Sequence, residues 1–188
     1  MLRSQPSPST TAEVLVPVAH ESRTIRSDGA ALADIARAGD DEQNRGYRAF
    51  WSFDLSDLRG ASVSSATLEF GTGAVVASHD LDESGFAEQG PSSKLWTQLN
   101  GLRIYQVRYL PDGLPQYDPE RTSELTQAAL FEAPTRIDVT NLVKAYAAAG
   151  EAERLQVMAA FQRDTNPNMF AEYITWTSVR LAIVYAPD

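Results

Sequence analysis

The stretch Tyr47–Phe70, read YRAFWSFDLSDLRGASVSSATLEF, limits what this chain can fold into more than any other part of it. Its first half is an aromatic-rich extended run, and side chains in a strand alternate between faces. Tyr47, Ala49, Trp51 and Phe53 therefore share one face, while Phe50 points the other way. A strand with large apolar groups on both faces needs cover, or a partner, on both. Asp54–Gly60 reads as a compact turn in which Leu55 and Leu58 tuck inward. There Asp54 and Ser56 bond backbone amides and Gly60 resets the chain. Val63, Ala66, Leu68 and Phe70 then mark a second, half-buried strand.

Similar patterns recur at short intervals. Glu13–Ala19 is a strand restricted to an edge by Pro17. Thr24–Arg26 and Ala33–Arg37 are short strands, and Gly39–Gly46 is a polar turn. Ala74–Ala77 continues the Val63–Phe70 strand beyond a bulge. Leu102–Tyr109 places Arg103, Tyr105, Val107 and Tyr109 on one face, with Leu102 and Ile104 on the other. Thr122–Leu130 is expected as a short helix. Arg136–Val139 is a strand leading into a helix capped by Asp138 and Thr140, which buries Leu142, Val143 and Tyr146 and stops at Gly150. Leu155–Phe161, Glu172–Trp176 and Val179–Tyr185 alternate as strands. Many short strands, two short helices and no βαβ rhythm predict an all-β fold, an antiparallel, jelly-roll-like β-sandwich. A length of 188 residues suits one such domain over residues 13–188, preceded by an extended Ser/Pro/Thr-rich arm over 1–12.

Three blocks resemble the DNRLRE-type β-sandwich modules, relatives of carbohydrate-binding modules of bacterial surface and wall-associated proteins. They are Tyr47–Phe70, Ile137–Ala149 (IDVTNLVKAYAAA) and Val179–Tyr185 (VRLAIVY). Their order and spacing match over most of residues 13–185; Leu81–Trp96 and Leu110–Leu130 look like insertions. The resemblance implies a jelly-roll-like sandwich with a non-catalytic role, and names no ligand. Family members are usually exported, whereas the N-terminus of this chain has no apolar core of a signal peptide. The expectation is cytoplasmic synthesis followed by incorporation into a virion or similar particle, with an extracellular surface as the alternative.

A formal net charge of −9 argues against nucleic-acid and anionic-membrane partners. No apolar run approaches the ~18 residues of a membrane span. The chain has no cysteine, which removes disulfides, thiolate metal sites and thiol nucleophiles. His20 and His79 stand in no ligand-like spacing. No serine sits in a nucleophile elbow, no phosphate-cradling loop occurs, and no catalytic or cofactor-binding residue is assigned.

Two acidic clusters carry oxygen ligands suited to Ca²⁺: Asp40–Asn44 in a turn, and Asp80, Asp82 and Glu83 in the aperiodic segment His79–Ser93. Exposed aromatic rings are the usual platform for sugars, whose C–H faces stack on them. Trp96, Tyr105, Tyr109 and Trp176 are the candidates for such a surface, and Phe50 for contact with a partner. Two functions follow as expectations. The first is a non-enzymatic structural or assembly protein, a homo-oligomer or a decoration- or tail-associated component of a virion-like particle. The second is a carbohydrate-binding module or adhesin.

Overall fold

A computed structural model describes residues 10–33, 35–77, 93–111, 113–149 and 154–187. The elements are β1 (Thr11–Leu15), β2 (Thr24–Arg26), β3 (Ala31–Leu32), β4 (Ala36–Asp40), β5 (Gly46–Asp54), a 3₁₀ turn (Ser56–Leu58), β6 (Ser62–Phe70), β7 (Gly73–Ala77), α1 (Ser93–Gln98), β8 (Leu102–Arg108), β9 (Glu120–Glu124), β10 (Arg136–Asp138), α2 (Thr140–Ala149), β11 (Arg154–Phe161), β12 (Glu172–Trp176) and β13 (Val179–Ala186). They form two antiparallel sheets packed face to face, the predicted all-β sandwich. One sheet runs β1-β13-β6-β10; the other runs β7-β12-β4-β5-β11-β8-β9, with β2 joined to β5 and β3 to β2.

The Tyr47–Phe53 strand is central to the larger sheet, and β5 is buried along nearly its whole length. Ala49, Trp51 and Phe53 enter the core between the sheets with Ala66, Leu68, Leu155, Val157, Leu181 and Ile183. Phe50 lies on the opposite face in a second cluster with Ile25, Tyr105, Val107, Met158 and Ala160, flanked by Tyr109 and Tyr117. Cover on both faces of this strand is thus supplied by the chain itself. Phe50 is fully buried, with the Tyr109 ring edge-on to it, so the expected partner contact at this residue is corrected.

Local chemistry behaves as the sequence suggests at the turn after β5 and at the start of α2. Asp54 Oδ1 accepts the Ser56 amide, Leu55 and Leu58 are buried, and Gly60 takes a positive φ of 75°. Asp138 Oδ1 accepts the Thr140 amide at the start of α2. The Thr140 hydroxyl instead bonds both the amide and the carbonyl of Ala66, sewing the helix to β6. Val63 and Ala66 are three residues apart yet both face inward. A register shift opposite Val184 and Tyr185, a β-bulge, reconciles them.

Three expectations are corrected. Thr122–Leu130 is not a helix: β9 pairs with β8 instead, because Thr122 and Ser123 spend their hydroxyls on Gln106 rather than on a helix cap. Ala74–Ala77 does not extend β6, for β7 crosses to the larger sheet and pairs with β12. The strand expected at Ala33–Arg37 runs later, to Asp40, so the polar turn begins only at Asp41. Of the arm expected over residues 1–12, residues 1–9 lie outside the described residues, as does the proposed stop at Gly150, while Thr11 and Ala12 already belong to β1.

Gly39 is the position that backbone geometry restricts most. It adopts φ 133°, and a Cβ there would lie 2.1 Å from the Glu172 carbonyl oxygen across the β4–β12 pair. Gly39→Ala is expected to cost about 3 kcal/mol, at the upper end for overpacking, because backbone and not a flexible side chain is in the way. Urea unfolding measures it; a loss no larger than that of an exposed Gly29→Ala control would refute the account.

Candidate functional site

Of the residues expected to form an aromatic surface, Trp96, Tyr105 and Trp176 are buried and only Tyr109 is half-exposed. Trp96 packs on Phe161, while Trp176 and Trp51 stack edge-on at 5.4 Å with Phe70 against both. Tyr105 sits in the second core cluster under the Arg121 guanidinium, 4.7 Å from its ring. The expected open platform is therefore corrected for these rings. They are too large to leave in water when the core needs their area. Asp80, Asp82 and Glu83 lie outside the described residues. Among the described residues, no group of three or more His, Cys, Asp or Glu side chains is arranged to hold a metal ion.

Two surface features remain. A crevice of about 400 Å³ opens between the β1–β2 connection, the β3–β4 connection and the β12–β13 turn. Phe50, Trp51 and Trp176 line it, and Val16 and Ile35, 74% and 47% exposed, stand at its rim. The indole N–H of Trp176 has no hydrogen-bond partner among the described residues. The crevice adjoins β1, whose one strand partner among the described residues is β13. The other edge of β1 offers backbone donors and acceptors.

The second feature is a groove of about 490 Å³ beside α2, lined by Gln106, Arg108, Tyr109, Thr122, Tyr146 and Arg154 among others. Gln106 Nε2 donates to the Tyr146 hydroxyl at 2.7 Å, fixing both side chains. Tyr109 is held by its hydroxyl donating to the Glu21 carbonyl and by its amide donating to Gln156 Oε1. Burial, with the nearby Glu21 charge, raises the Tyr109 hydroxyl above its ordinary pKa, so it stays protonated.

Polar groups buried on the outer face of the larger sheet hold this region in shape. Glu21, fully buried, accepts from Ser52 Oγ and from Arg154 Nε at 3.0 Å, and Arg154 also reaches Asp54 at 2.7 Å. Arg48 bonds Asp164 at 2.9 Å, Asp118 at 2.8 Å and the Tyr117 carbonyl at 2.8 Å, with its guanidinium 4.2 Å from the Tyr117 ring. It pins the segment between β8 and β9 onto the sheet.

At the other end of the β4–β12 pair, Asp40 and Glu172 are fully buried register partners. Burial pushes the Asp40 carboxyl up to about 7. The Asn166 amide pulls against this rise, and the Glu172 and Asp41 charges add to it. Asp40 was read from sequence as part of an exposed turn. The signal that places it inside is the period-two row Ala36, Ala38, Asp40 facing Trp176, Ile174, Glu172, which continues the core face one step past its last apolar pair.

Searches against protein-family models and against curated proteins find no match for the chain.

The Arg48 cluster yields an ordering of mutant stabilities. Arg48 is almost fully buried, whereas Asp118 is largely exposed and Asp164 half-exposed. Removing the buried charge leaves two carboxylates in water; removing its partners strands it. Arg48→Met should cost about 1–2 kcal/mol, and the double change Asp118→Asn/Asp164→Asn about 3 kcal/mol. Chemical denaturation that ranks them in the opposite order would reject this assignment.

Proposed function

We propose that the chain is a non-enzymatic structural subunit that self-associates through β1 and the adjoining crevice, as subunits that build or decorate a particle do. The observation that carries this reading is a strand with one strand partner among the described residues, beside a crevice of mixed polar and apolar lining with two exposed apolar side chains at its rim. Natural sheets usually blunt such edges with lysine, proline or inward charge. The one charge on β1, Glu13, is tied to the Tyr185 hydroxyl at 3.0 Å, and Pro17 lies beyond the strand. The occupant we assign is β1 of a second copy, paired antiparallel across a two-fold axis. In that arrangement the rim side chains of each copy leave water together. The resemblance to DNRLRE-type modules, with its non-catalytic role, supports the same class of function.

Light scattering of the full chain coupled to size exclusion tests it. The expected result is a dimer or larger species that Val16→Asp/Ile35→Asp converts to monomer while the fold is retained. A wild-type protein that is monomeric throughout the micromolar range would overturn the proposal.

A second reading is favoured by the groove beside α2. Two tyrosines, two arginines and amide side chains around an open groove suit a hydroxyl-rich ligand such as an oligosaccharide. Binding on a glycan array, lost in Tyr146→Ala, is the expected outcome. An array without hits, or with hits that survive this change, removes this reading.

A further inference from the structure

The charged lining of the groove beside α2 runs opposite to the rest of the chain. The sequence carries 25 acidic and 16 basic residues, a formal net charge of −9. Yet no aspartate or glutamate is among the described residues that line the groove, whereas two arginines are. Arg154 is already paired, since Glu21 and Asp54 hold its guanidinium. Arg108 is exposed, and among the described residues no carboxylate pairs with it. Glu120, opposite Arg108 in the β8–β9 register, is also exposed and forms no ion pair with it. A guanidinium with five N–H donors thus stands at the groove with no counter-charge.

Further polar groups of the groove are donors too. Gln156, 4% exposed, lines it, and its Oε1 accepts the Tyr109 amide at 2.8 Å. That bond fixes which way the carboxamide is turned and leaves Nε2 without an acceptor among the described residues. Buried donors in this state are rare. The Tyr146 hydroxyl accepts from Gln106 Nε2 at 2.7 Å and keeps its own hydrogen to donate. The Thr122 hydroxyl donates to the Gln106 carbonyl, which leaves its oxygen able to accept from a ligand hydroxyl. Such a lining suits a ligand rich in acceptor oxygens that brings a negative charge to Arg108.

We infer that this groove selects a carboxylate-bearing oligosaccharide, with Arg108 as the carboxylate's partner. The inference rests on the reading of the groove as a glycan site and specifies the class of glycan. A guanidinium matches a carboxylate with two parallel N–H···O bonds, stronger than those it could make to neutral hydroxyls. Tyr109 and Tyr146, each half-buried, supply aromatic surface for a sugar ring. The Tyr109 hydroxyl, kept protonated by burial and by the Glu21 charge, adds no negative charge that would repel an anion. The volume of about 490 Å³ falls within the ~300–1,000 Å³ common for small-ligand sites. A neutral glycan would fill the same space and leave Arg108 without a counter-charge.

The test probes an array of neutral, sulfated and carboxylate-bearing oligosaccharides with the full chain. Calorimetric titration then compares the strongest carboxylated hit with the same glycan after reduction of its carboxyl to the alcohol. Hits are expected among the carboxylated glycans, and reduction should weaken binding about tenfold, the weight of one charge-assisted hydrogen bond. Arg108→Gln, at an exposed position, should bind both forms as weakly as the wild type binds the reduced one, with Tm unchanged. Hits confined to neutral or sulfated glycans, or a carboxylate preference that survives Arg108→Gln, overturn the inference. The glycan reading itself still stands in those cases if the hits are lost in Tyr146→Ala. An array without hits removes both. Poly-glutamate bound as tightly as the carboxylated glycan also overturns the inference, because the groove then recognises charge and not a sugar.

Discussion

The pairing of β5 with β11 is the constraint on which the rest of this structure depends. Its register sets Phe53 beside Leu155, Trp51 beside Val157 and Ala49 beside Ala159 on the core side. The same register sets Phe50 beside Met158 and Ser52 beside Gln156 on the other. A slip of β5 by one residue would exchange its two faces and put Arg48 and Ser52 between the sheets. Because both faces are buried, no slack exists on either side to absorb such an error. The outer face must therefore satisfy every polar group that the strand brings with it.

The polar networks follow from that requirement. Ser52 is answered by Glu21, Glu21 by Arg154, and Arg154 by Asp54 at the strand end. Arg48 is answered by Asp118 and Asp164 from two different connections. These partners come from segments with little regular structure, so the chain's irregular parts are held in place by charges on its most regular strand. The groove beside α2 inherits its shape from this arrangement, since Tyr109 is anchored through the Glu21 carbonyl.

The sandwich was legible in the sequence because period-two alternation survives in β5, β8, β11, β12 and β13 whatever their neighbours. The two faces of Leu102–Arg108 were legible for the same reason: Leu102 and Ile104 lie in one core cluster, Tyr105 and Val107 in the other. β9 was hidden because Glu120–Glu124 is exposed at every residue, leaving no hydrophobic pattern, and its pairing is decided by the open edge of β8. The aromatic surface was misread for a complementary reason. A ring's type reveals its appetite for contact but not whether the contact comes from a ligand or from the chain's own second layer. Trp96 and Trp176 are claimed by the core, and Phe50 and Tyr105 by that second layer.

One row of side chains links the two ends of the β4–β12 pair. Ala36 and Trp176 line the crevice; Ala38 and Ile174 fill the core; Asp40 and Glu172 close the far end. At about 3.3 Å per residue the ends are some 13 Å apart on one rigid pair of strands. Gly39, pressed against the Glu172 backbone, allows the strands their close approach midway along that end. On the opposite face the Arg37 guanidinium lies between the rings of Tyr47 and Tyr173, 5.1 and 4.7 Å from their centres, holding the same pair to β5. The hydrogen bonds that Asn166 and Asn168 give to Asp40 and Glu172 therefore also help to fix the strands on which the crevice is built. Polar closure at one end and apolar exposure at the other are consequences of a single register.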